Sequence, residues 1–201
     1  SFGVGYALCE FKITGDDETR CFDKIFTQKQ KEIARQKQKN EDPYVKLARL
    51  SLETYIKTGE YLSLPDGLPK EMLNNKAGVF VSLKKHGSLR GCIGTIEAVT
   101  ENIAMEIIRN AVSAGVEDPR FAPVREDELD EIIYSVDVLG KPEPVKDESE
   151  LDVKRYGVIV SSGRRRGLLL PNLEGVDTVQ QQIEIARKKA GIYKNEQVKL
   201  E

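Results

Sequence analysis

The chain has 201 residues, 39% of them hydrophobic and 6% aromatic with no Trp, which suits one globular domain, or one domain with a lobe. Its 31 Lys and Arg stand against 33 Asp and Glu, a formal net charge of -2, so no overall basic field is available for nucleic acid or an anionic membrane. No apolar run approaches the roughly 18 residues of a membrane span, and Ser1-Phe2-Gly3 lacks the order of a signal peptide, so a cytoplasmic protein is expected.

Residues 2–13 read as a strand-like apolar run weakened by glycines, and residues 14–41 as a charged linker or solvated helix with few large apolar side chains. Asp42-Pro43 supplies an N-cap and a proline at the first helical position, and Gly59 a stop. Between them Ala48, Leu52, Tyr55 and Ile56 share one face. Residues 62–69 are a loop with Pro65, Gly67 and Pro69. Residues 78–82 and 88–93 then flank a Lys-Lys-His-Gly turn as a hairpin, and a helix is predicted over 100–114, capped by Thr100 and ended by Gly115. Residues 132–139 alternate as a half-buried strand. The hairpin-helix order recurs at 157–161, 166–170 and 178–191, where Thr178 and Gln181 form a capping box. An internal duplication in an α+β fold with a largely antiparallel sheet is the expected architecture.

Three cysteines without Cys-x-x-Cys spacing argue against a disulfide framework or zinc knuckle, and with His86 the sole histidine no metal site or cofactor is expected. Arg-Gly stands at equivalent places in both halves, Arg90-Gly91 and Arg166-Gly167, but the first alone continues with Cys92 and Gly94. On a regular strand Arg90 and Cys92 share a face while Leu89 and Ile93 point into the core. A guanidinium beside a thiol favours the thiolate, and Gly91 and Gly94 leave room for a ligand or another backbone. Cys92 and Arg90 are therefore the catalytic candidates. The competing reading is a small thiol packed under a tight turn. Asp118-Pro119-Arg120-Phe121 offers a carboxylate and a guanidinium beside the hairpin, or simply a turn anchored by Phe121. Of Arg164, Arg165 and Arg166, the first two are expected in solvent and Arg166 in a site; His86 is expected exposed in its turn.

Taken together, Leu89-Arg90-Gly91-Cys92-Ile93-Gly94-Thr95, Asp118-Pro119-Arg120-Phe121, Gly167-Leu168-Leu169-Leu170-Pro171 and Gly175-Val176-Asp177-Thr178-Val179 closely resemble the AMMECR family from about Asp42 to the end of the chain. The resemblance implies an α+β domain over residues 42–201 with a cleft lined by the cysteine-motif hairpin. It also implies association with a Memo-like protein, related to extradiol dioxygenases, and with a radical S-adenosylmethionine protein. Phe2-Gly3-Val4-Gly5-Tyr6 looks like the end of such a dioxygenase-like domain, which makes residues 1–13 its terminal strand, fused upstream. Those residues hold none of the His and carboxylate ligands that iron-dependent ring cleavage requires.

Two functions stay open. In an enzyme component Cys92 is the nucleophile, covalent acceptor or redox thiol, Arg90 activates it, and Gly91, Gly94, Asp118, Arg120 or Arg166 holds a small anionic substrate. In an adaptor the same cleft receives a peptide or a partner's tail. Nucleic-acid binding through the basic turns is disfavoured by the charge balance and the few aromatics.

Overall fold

The computed structural model describes residues 9, 10, 12, 15, 21–173 and 175–201, so the strand expected over 2–13 lies outside the described residues except at positions 9, 10 and 12. Within the charged segment, helix α1 (Phe22–Lys39) buries Ala34 and leaves Phe22, Ile25 and Phe26 largely exposed. Helix α2 (Pro43–Thr58) begins as its sequence dictates. The Asp42 carboxylate accepts from Tyr44 N and Val45 N, and Gly59 closes the helix at φ 77°, where a side chain would be strained. A short helix α3 (Lys70–Asn74), not foreseen, follows Pro69 and buries Met72.

Strands β1 (Val79–Lys85) and β2 (Ser88–Gly94) turn through His86 and Gly87, both at positive φ (53° and 83°), the pattern of a tight two-residue hairpin. Helix α4 (Ile103–Val116) starts later than expected because Asn102 caps it, accepting from Met105 N; the Thr100 hydroxyl is used elsewhere. Gly115 does not end it but sits inside it, where a Cβ would stand 2.3 Å from a Leu52 methyl. Strand β3 (Ile132–Val138) pairs with β1, giving a three-stranded antiparallel sheet in the order β2-β1-β3. Val79, Val81 and Leu83, all fully buried, lie on the strand that packs against α4 and share the main core with Leu52 of α2, Ile107 and Ile132.

Strands β4 (Val158–Ser162), β5 (Arg165–Leu169) and β6 (Lys199–Leu200) form a second antiparallel sheet in the order β5-β4-β6, under helix α5 (Val179–Lys189), whose Thr178/Gln181 capping box is present. The antiparallel strands thus divide between two sheets, each with its own core, the second built on Val158, Val160, Ile183 and Ala186. The two hairpin-helix units correspond closely. A Cβ on Gly91 would stand 2.1 Å from Ala114 O of α4, and one on Gly167 2.2 Å from Ala186 O of α5. In both units the glycine lets a strand lie directly on a helix backbone.

Candidate functional site

The register departs from regular alternation at the motif itself. Leu83 pairs with Gly91 and Lys84 with Leu89, which leaves Arg90 as the extra residue of a β-bulge. The bulge explains why Leu89, expected in the core, is 41% exposed. It also breaks the i, i+2 relation between Arg90 and Cys92. The Arg90 guanidinium binds Glu128 through Nε (3.2 Å) and Nη2 (2.9 Å) and donates to the carbonyls of Ala122 (2.9 Å) and Pro123 (3.3 Å). Glu128 in turn is held at about 2, first by Arg90, against the cost of burial, and further by Arg125 N and Lys85.

Cys92 lies half-buried on the outer strand. Its N–H donates to Asp118 Oδ2 (2.8 Å) and its carbonyl accepts from Arg120 Nη2 (3.1 Å), so both groups point away from β1. The Ser82–Cys92 pair is therefore of the non-hydrogen-bonded kind, which brings opposite side chains closest, and Ser82 Oγ lies 3.2 Å from Cys92 Sγ. Asp118, 4% exposed, is held well below the usual carboxylate range by the Arg120 guanidinium, against its burial, and by the backbone N–H groups of Cys92 and Arg120. Arg120 keeps 54% of its side chain in solvent. Asp118 and Arg120 are thus brought to Cys92, and Arg90 is turned to Glu128.

The spaces opposite the motif glycines are filled from within: Gly91 by the α4 backbone and Gly94 by Phe80, whose ring would lie 2.3 Å from a Cβ there. Arg166 reaches back from β5 to Glu97 (2.8 Å), in the loop after β2, and to Glu201 (2.9 Å). Arg165, expected in solvent, pairs with Glu196 and donates to Gly191 O. His86 is likewise engaged, with Glu131 at 2.8 Å and the Phe26 ring at 5.2 Å edge-on.

Besides Glu128, sequence reasoning missed two further carboxylates that matter here. Glu106, fully buried on α4, accepts from Thr95 Oγ1 (2.6 Å), Val99 N (3.1 Å), Thr100 N (2.9 Å) and Thr100 Oγ1 (2.7 Å), fixing the loop after Gly94. Burial opposes its charge, yet these donors hold its pKa down. A carboxylate one turn into an apolar helix was the available signal. Asp137 pairs with Phe80 across the sheet and lines a 700 Å³ cleft between β3 and the second sheet. Ile96, two residues past β2, also lines it; Cys92 does not. Among the described residues no cluster of three or more His, Cys, Asp or Glu side chains is arranged to hold a metal, and no helix is long and apolar enough to cross a membrane.

Two antiparallel hairpin-helix units, with a bulged cysteine strand clamped by the Asp118-Arg120 turn, define an α+β domain of distinctive build. Residues 45–201 match the AMMECR1 family profile, and the chain belongs to that family. A Clostridium acetobutylicum protein is 53% identical over all of this chain, which spans only 42% of that relative's length. A Thermotoga maritima protein is 54% identical over 153 residues, 76% of this chain and 88% of the relative. The crystal structure of an uncharacterised Pyrococcus horikoshii protein, 33% identical, superposes with a TM-score of 0.71 over 78% of this chain and 84% of that one.

Proposed function

We propose that the chain is the ligand-binding component of a partner-linked enzyme, with the cleft between the sheets as its binding site and the Cys92 strand as a rigid element beside it. One observation carries this reading: the charged side chains that sequence assigns to chemistry around Cys92 are already spent inside the protein. Arg90 is bound to Glu128 and two carbonyls, Asp118 and Arg120 to each other and to the Cys92 backbone, and Arg166 to Glu97 and Glu201. The cleft, by contrast, is open and within the usual 300–1,000 Å³ or so of small-molecule sites.

Support for a partner comes from the Clostridium relative, more than half of which lies outside the match. That length has room for the Memo-like or dioxygenase-like domain expected upstream, to which residues 1–13 would belong, with a radical S-adenosylmethionine protein as a further associate. The second reading, a cysteine-dependent enzyme component, is favoured by the Ser82–Cys92 contact and by the half-exposed Arg120 at the same residue.

Iodoacetamide labelling near neutral pH, read by peptide mass spectrometry, separates the two. The binding reading expects Cys92 to label no faster than the exposed Cys9. Labelling at least about tenfold faster reverses the ranking and makes Cys92 an activated nucleophile.

A further inference from the structure

Four carboxylates among the described residues are nearly or fully buried, Glu106, Asp118, Glu128 and Glu131, and each has hydrogen-bond or ion-pair partners. Asp137, half-buried on β3, differs from them: among the described residues nothing donates to its carboxylate. It is also the carboxylate that lines the cleft from the sheet that carries Cys92. In the empty site only water can serve this half-buried carboxylate, and an arriving cation would replace that water with an ion pair in partly dry surroundings.

The rest of the lining states what accompanies that cation. Ile96, Ile159, Leu168 and Leu170 supply an apolar wall, and Tyr156 an aromatic face. Glu201 is neutralised by Arg166, and among the other described lining residues the carboxylates Asp137, Glu143 and Glu150 outnumber the cations Lys141 and Arg155. Arg155 is further occupied by the Tyr156 ring, 5.3 Å from its guanidinium carbon.

We infer that the cleft binds a small amphipathic organic cation, its ammonium or guanidinium paired with Asp137 and its apolar body laid against Ile96, Ile159, Leu168 and Leu170. The inference rests on the cleft being the binding site and adds the class of ligand. Burial alone raises the Asp137 pKa, as expected of a carboxylate with no compensating charge nearby.

The test uses three probes of one shape and different charge: 2-phenylethylamine, 2-phenylethanol and phenylacetate. Each is titrated into the whole chain and followed by the methyl NMR signals of Ile96, Ile159 and Leu168, to concentrations that read dissociation constants as weak as about 10 mM. The expected result is binding of the amine at least about tenfold tighter than the alcohol, phenylacetate the weakest of the three, and loss of the amine's advantage in Asp137→Asn. Should that variant lose its folded spectrum, Asp137→Ser reads the same preference. Equal binding of amine and alcohol, or a preference that survives both substitutions, overturns the cationic ligand while leaving the cleft as a binding site. Methyl signals that respond to none of the probes overturn the site and the ligand class together.

Discussion

At the residue scale, Arg90 shows how a motif residue that reads as an activator becomes a strut. The bulge releases it from the Cys92 side, and its guanidinium closes on Glu128 and the carbonyls of residues 122 and 123. Glu128 titrates at about 2 in the folded chain against an ordinary 4.5. A depressed carboxylate contributes stability that is complete above its unfolded pKa and is lost as the pH falls through the folded one. Arg90→Gln is therefore expected to cost about 2 kcal/mol at neutral pH, the range for a hydrogen bond to a charged group. In urea melts the gap to the parent should stay constant down to about pH 4.5 and close toward pH 2. A gap that is independent of pH over that interval would show the loss to be one of packing and not of the pair.

At the element scale, α1 lies before the family match, yet it touches the matched part of the fold through Ala34 and through Phe26, which meets His86. Ala34 is 1% exposed, so Ala34→Arg forces a long charged side chain into the seam between α1 and β3. The expected outcome is at least about tenfold faster amide exchange across α1 with α4 unchanged. Equal acceleration in both helices would mean that α1 belongs to the cooperative core. The caps of α2 and α5, the two hairpins and the recurrence of their order were legible in the sequence because each depends on residues a few positions apart. Arg90 with Glu128, 38 residues on, and Arg166 with Glu97, 69 residues back, were not legible, because strand register and chain packing create those meetings. The start of α4 was misplaced for a related reason. Thr100 is a sound cap by type, but its hydroxyl is taken by Glu106 and Asn102 caps in its place.

At the scale of the whole molecule, the halves are tied by Arg166, which joins the second hairpin to Glu97 beyond the cysteine strand and to Glu201 at the last residue. Glu97 keeps 79% of its side chain in solvent, so water and salt screen that pair. Arg166→Ala should cost no more than about 1 kcal/mol in a chemical-denaturation measurement, and less at high salt. A loss above about 3 kcal/mol, unaffected by salt, would place the halves in a single buried electrostatic unit instead.

The clamp on Cys92 has a counterpart in the second unit. Position 168 corresponds to position 92 when the two Arg-Gly pairs are aligned, and the Leu168 carbonyl accepts from Lys189 Nζ at 2.9 Å as the Cys92 carbonyl accepts from Arg120. Each sheet ends on a strand whose outward carbonyl, the acceptor an incoming chain would use to extend the ladder, is closed by a cation from the helix end or turn that follows. Loss of the cation at either edge would leave a template for strand addition between copies. The turn that holds Cys92 thereby also closes a sheet edge, through a side chain, Arg120, that reads at first sight as a substrate-binding residue.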